Sequence, residues 1–154
     1  MDSITNLYEV RRDGKVIKEG MTFEEIAAFG EISKVVEMHW TDRSTGQPAS
    51  IKSPFGVFGA LVQGRDFIVA TIYSSKSNCR LISINANGST RCTFSDTQKI
   101  NGQDEFGSFG WVETTHYPNN VFGAIFTVDC FPVTQYRLDI DVITAEVLAC
   151  SWTK

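Results

Sequence analysis

A chain of 154 residues, 42% hydrophobic and 21% charged, has the size and make-up of one globular domain, which excludes a disordered tract. No apolar run approaches the roughly 20 residues of a membrane-spanning helix, and Met1-Asp2-Ser3-Ile4-Thr5-Asn6 lacks the basic and apolar stretches of an export signal, so a cytoplasmic protein without membrane contact is expected. The net charge of −4 is uneven: residues 1–54 hold seven basic and nine acidic side chains, residues 55–95 four and one, residues 96–154 three and eight.

Tyr8 to Ile17 predicts a β-hairpin turned at Asp13-Gly14. Thr22 then opens a short helix, Phe23 to Phe29. Its hydroxyl can cap the Glu25 amide while the Glu25 side chain reaches back, and Gly30 stops the helix. Val36, Met38 and Trp40 share one parity against Glu37 and His39, the mark of a half-buried strand. Thr41 to Pro54 is polar and rich in turn formers, which predicts a loop with Thr45-Gly46-Gln47-Pro48 at its tip.

From Phe55 a pattern runs twice. Phe55-Gly56-Val57-Phe58-Gly59 returns as Phe106-Gly107-Ser108-Phe109-Gly110. Each run leads into a β-type segment (Phe67 to Tyr73, Phe122 to Val128), an alternating strand (Leu81 to Asn85, Tyr136 to Asp141) and a return strand (Thr90 to Phe94, Val147 to Trp152). Two copies of a four-strand meander follow, joined by a polar, exposed linker from Ser95 to Glu105. Parity predicts that Ile82 and Ile84 share a face with Cys92 and Phe94, through a three-residue loop with Gly88 left-handed. It also predicts that Tyr136, Leu138 and Ile140 face the core with Leu148, Cys150 and Trp152, through an odd loop near Ile143 to Ala145. Phe58 and Phe109, and Ile84 and Ile140, are equivalent pairs expected to be buried, with Asp139 and Asp141 on the opposite, solvated face. The fold class is α+β, mainly antiparallel β, a barrel-like or sandwich arrangement of the two meanders with an N-terminal hairpin and one short helix. One domain is expected over residues 1–154, divided as 1–54, 55–95 and 96–154.

Six Phe-Gly pairs occur, at Phe29, Phe55, Phe58, Phe106, Phe109 and Phe122. They place glycine where strands bulge or approach closely, with a ring as cover. Alternatively Phe58, Phe109 and Trp111 line one ligand pocket. No G-x-S-x-G elbow, phosphate-binding loop or dinucleotide fingerprint is present. Cys79, Cys92, Cys130 and Cys150 form no CxxC and read as reduced thiols. His39 and His116 read as solvated polar side chains. No catalytic residue, metal ligand or cofactor is assigned. Arg65, Arg80 and Arg91 make a patch too small, against the overall charge, for nucleic acid. Asp104, Glu105, Glu113, Asp129, Asp139 and Asp141 instead suit a basic protein partner, because opposite charge speeds association. Two function classes remain. The first is a non-enzymatic, acidic inhibitor or immunity protein that neutralises a basic partner such as a toxin. The alternative is a small-molecule-binding β-barrel with an aromatic-lined pocket.

Overall fold

Short apolar runs separated by turn formers leave little room for helices, and the computed structural model, which describes residues 2–153, is mainly antiparallel β with thirteen strands and one short helix among the described residues. The first sheet joins β1 (Ile4–Arg11), β2 (Val16–Lys18), β3 (Val35–Asp42) and β4 (Gln47–Lys52) in the order β2-β1-β3-β4. The second joins β5 (Val57–Leu61), β6 (Phe67–Tyr73), β7 (Cys79–Asn85) and β8 (Thr90–Thr93) in chain order. The third joins β9 (Thr97–Ile100), β10 (Gln103–Glu113), β11 (Val121–Val128), β12 (Thr134–Asp141) and β13 (Val147–Trp152), again in chain order. β5 to β8 and β10 to β13 are therefore meanders of the same strand order.

The second sheet is the middle layer. Successive side chains on a strand point to opposite faces, and on β6 and β7 both faces are covered. Ile68, Ala70, Ile82 and Ile84 pack with Ile4, Met38 and Trp40 of the first sheet. Val69 and Leu81 pack with Phe109, Phe122, Phe126, Leu138 and Ile140 of the third. Every residue from Ile68 to Thr71 and from Leu81 to Ile84 is buried, so the two strands read as nearly unbroken apolar runs rather than alternating ones. Thr71 is accommodated because its Oγ1 donates to the Gly110 carbonyl at 2.8 Å, which also ties the middle sheet to the third.

The helix α1 (Phe23–Ala27) starts with the predicted reciprocal cap, the Glu25 amide donating to Thr22 Oγ1 at 3.1 Å, and stops two residues short of Phe29. Thr41 to Pro54 is not a loop. Its turn spans residues 43–46, and β4 follows as an edge strand whose outer face is solvated, which explains its polar composition. Pro48 fits there because its ring nitrogen lies on the side of β4 facing away from β3. The linker after Ser95 likewise contains β9, with Ile100 buried. One apolar residue in four gives no periodic signal.

Parity changes in the β7–β8 hairpin and is kept in the β12–β13 hairpin by a bulge. The β7–β8 connection is the predicted three-residue loop, with Gly88 at φ 91° and the Asn85 amide donating to the Ser89 carbonyl at 2.9 Å. A register shift after it then pairs Cys92 with Ser83, so Phe94 joins Leu81 rather than Ile82 and Ile84. With apolar side chains on both faces, parity had no single core face to select. In the β12–β13 hairpin the Asp141 amide closes on the Glu146 carbonyl around an even loop, and a bulge at Leu148 restores the pairing of Leu138 with Cys150 and Tyr136 with Trp152. That face of β13 is nevertheless exposed, as are all its residues. Ile84 and Ile140 are both 0% exposed and Phe109 is 3% exposed, but Phe58 is 51% exposed because β5 is the edge strand of the middle sheet.

Candidate functional site

Three surface features carry polar or aromatic chemistry. The first is a groove of about 650 Å³ between β5 and the start of β3, whose walls include Glu9, Lys34, Phe55, Phe58, Tyr73 and Lys76. Burial pushes the Glu9 carboxyl above the usual carboxylate range. The Lys34 ammonium lies 5.8 Å from the centroid of the Tyr73 ring. Of the three aromatic residues expected to share a pocket, only Phe58 is here. Phe109 is in the core, and a register shift between Phe109 and Val112 turns Trp111 onto the outer face of the third sheet.

The second feature is that outer face. The register aligns Glu113, Gly123 and Asp139 in one row across β10, β11 and β12. Tyr117 lies over Gly123, where a β-carbon would strike its hydroxyl, so this Phe-Gly pair marks a close approach. The hydroxyl donates to Asp139 Oδ1 at 3.1 Å, the Arg137 Nε stands 3.5 Å from the same oxygen, and Trp111 Nε1 donates to Glu113 at 3.4 Å. Asp139 is therefore on the predicted face but only 23% exposed, covered by Tyr117. Asp141 serves its own hairpin instead, because its Oδ1 accepts the amides of Ile143 at 2.8 Å and Thr144 at 3.2 Å and so holds the turn.

The six predicted acidic residues do not form one patch. Asp104 and Glu105 lie near one end of β10, and Asp129 joins them through its amide, which donates to the Phe106 carbonyl at 2.8 Å. Glu113, Asp139 and Asp141 lie at the other end, roughly 26 Å away at the rise of a strand.

Burial first, and the hydrogen bond to Asp139 second, push the Tyr117 phenol from its ordinary 10.0 up to about 12. The folded protein thus keeps a proton that the unfolded chain releases. The resulting stabilisation is complete below about pH 10 and is expected to disappear as pH rises from about 10 to about 12. Urea titrations across that window should show a steeper loss of stability for the parent than for Tyr117→Phe. Parallel curves would mean that Tyr117 titrates as a free phenol.

The histidines lie apart. His39 stacks on Tyr8 with ring centroids 4.8 Å apart and bonds Glu37 at 2.7 Å, which holds that carboxylate below its usual range. His116 is exposed in the turn before Tyr117, at φ 67°. Among the described residues no group of three His, Cys, Asp or Glu side chains is arranged as a metal site would be, and all four cysteines are free.

The third feature escaped sequence reasoning. Among the described residues β13 pairs only with β12, and it exposes Leu148 at 54% and Trp152 at 78%. Its Val-Leu-Ala-Cys run reads as core in the sequence, and only the stacking of the sheets leaves it in water.

No helix is long and apolar enough to cross a membrane among the described residues. No family model matches the chain, and no curated protein does. Among solved structures, one chain in the structure of Tne2 in complex with Tni2 is similar over 98% of this chain and 99% of its own length, with a TM-score of 0.86 and 25% identity. A component of a two-protein complex therefore has this fold from end to end.

Proposed function

We propose that the chain is a non-enzymatic binding protein of the inhibitor or immunity type, which neutralises a protein partner such as a toxin by covering part of its surface. The observation that carries this reading is the full-length likeness, at 25% identity, to a component of a complex between two proteins. A basic partner fits best, since residues 96–154 hold eight acidic and three basic side chains and Glu113 and Asp139 share one row of the outer face. In this reading the protein acts in the cytoplasm, with its cysteines as free thiols.

The test begins with the tagged full chain, used to recover its partner from native cells; the partner is then identified and purified. Association is expected to slow as salt is raised, because exposed charges are screened beyond about 8 Å at physiological ionic strength. The double variant Glu113→Gln, Asp139→Asn should slow association several-fold at low salt. Failure to recover any protein that binds when purified would sink the proposal. A complex insensitive to salt would remove its electrostatic part.

A second reading, a small-molecule carrier, is favoured by the groove beside Phe55, Phe58 and Tyr73, whose volume of about 650 Å³ is that of a ligand pocket. Native mass spectrometry of freshly purified protein should then show a bound mass that Phe58→Ala releases.

A further inference from the structure

We infer that β13 is the docking edge, and that an extended segment of a basic protein partner adds to it as a sixth strand of the third sheet. This rests on the protein-binding reading above and names the surface that performs it.

The backbone supplies the first reason. In an antiparallel ladder, residues that exchange hydrogen bonds with one neighbour alternate with residues whose amide and carbonyl point the other way. The Thr153 amide donates to the Gln135 carbonyl at 3.0 Å, so Thr153, Ser151 and Ala149 bond to β12. The amides and carbonyls of Cys150 and Trp152 then point outward, and β13 is the last strand in its sheet.

The second reason is the lack of protection. Proteins blunt free edges with charged residues, prolines or very short strands. β2 has three residues, β4 carries Pro48 and Lys52, β8 carries Arg91 and β9 carries Lys99. β5 is apolar, but it borders the groove beside Lys34 and Val35. β13, Val-Leu-Ala-Cys-Ser-Trp, has six residues with no charge and no proline, and all six are exposed. Such an edge bonds the main chain of an incoming strand and offers Leu148 and Trp152 as apolar contacts for its side chains.

Charge chooses the occupant. A second copy would bring together two segments that each hold eight acidic and three basic side chains. A basic strand meets the opposite situation. The row Glu113, Gly123, Asp139 and Ala149 would continue onto it, and a lysine or arginine opposite Ala149 can reach Asp139, whose Oδ1 alone is engaged among the described residues. The recognised segment is thus extended, apolar on the side of Trp152, and basic on the side of Asp139.

Two proline variants separate docking from folding. Cys150→Pro removes an outward amide and none of the bonds to β12, a position where an edge strand accepts proline. Ser151→Pro removes an amide that bonds Arg137 and should lower the melting temperature. The probe is the partner recovered as described above, re-expressed as a pure protein and titrated by calorimetry against the full chain. Cys150→Pro is expected to weaken binding about 10- to 100-fold, the cost of a hydrogen bond left unmade in a dry interface, while melting close to the parent. Slowed exchange of the Cys150 and Trp152 amides in the parent complex should accompany this, and that measurement decides the matter if the proline variant does not fold. If Cys150→Pro binds like the parent, or those amides exchange as fast in the complex as alone, this inference is overturned and the binding reading stands. If the pure partner does not bind the parent chain, both fall. A parent dimer that Cys150→Pro turns into a monomer would mean that a second copy occupies the edge, which also overturns it.

Discussion

Phe109→Ala is expected to lower folding stability by about 3–5 kcal/mol, whereas Phe58→Ala, at the same place in the other Phe-Gly-x-Phe-Gly run, should cost about 1 kcal/mol. Phe109 is 3% exposed, and its ring lies 5.0 Å from Phe126 and 6.5 Å from Phe94 between centroids. Truncation there removes the ring's transfer free energy and leaves a cavity between the middle and third sheets, which close packing prevents from collapsing fully. Phe58 is 51% exposed at the wall of the groove, so only part of its surface leaves water on folding, and its loss opens no enclosed void. Urea titrations of both variants at unchanged m-value would measure the difference. Equal costs would show that Phe58 is covered in solution.

Ile84→Ala and Ile140→Ala should each cost about 2–5 kcal/mol, a large share of the stability of a typical domain. Both side chains are 0% exposed, but they belong to different cores. Ile84 packs between the first and middle sheets, and Ile140 between the middle and third. Their effects are therefore expected to add. The milder valine variants, at about 0.5–1.5 kcal/mol each, keep the double variant folded for the measurement, and the double should equal the two singles combined within about 0.5 kcal/mol. A coupling above about 1 kcal/mol would mean that the middle sheet transmits strain from one core to the other.

Features set within a few residues were legible in advance. The capping box at Thr22 and Glu25, the strand parity of Met38 and Trp40, and the three-residue turn at Gly88 each follow from a side chain's reach, the twofold repeat of a strand or the backbone freedom of one residue. The two Phe-Gly runs and their following strands showed where the strands of two meanders lie, and both meanders have the same strand order. Of the candidate site, Asp139 could be placed on an outward face, but not in one row with Glu113 or beneath Tyr117, because nothing local links strands across the sheet or a turn residue to the glycine it covers.

Antiparallel β character, most of the strands, the helix cap and the distribution of charge all depend on neighbours in the chain, and all could be read from it. Which faces are covered was settled only when the sheets stacked. Alternation shows that a strand has an apolar face, but burial depends on whether another sheet lies over it, and that contact is made by residues far away in sequence. The middle sheet is covered twice, which reversed the parity of Cys92 and Phe94. Phe58 and Phe109 parted company because one lies at the edge of a sheet and the other under one. β13, as apolar as a core strand, is left in water because among the described residues it pairs on one side only and no sheet covers it.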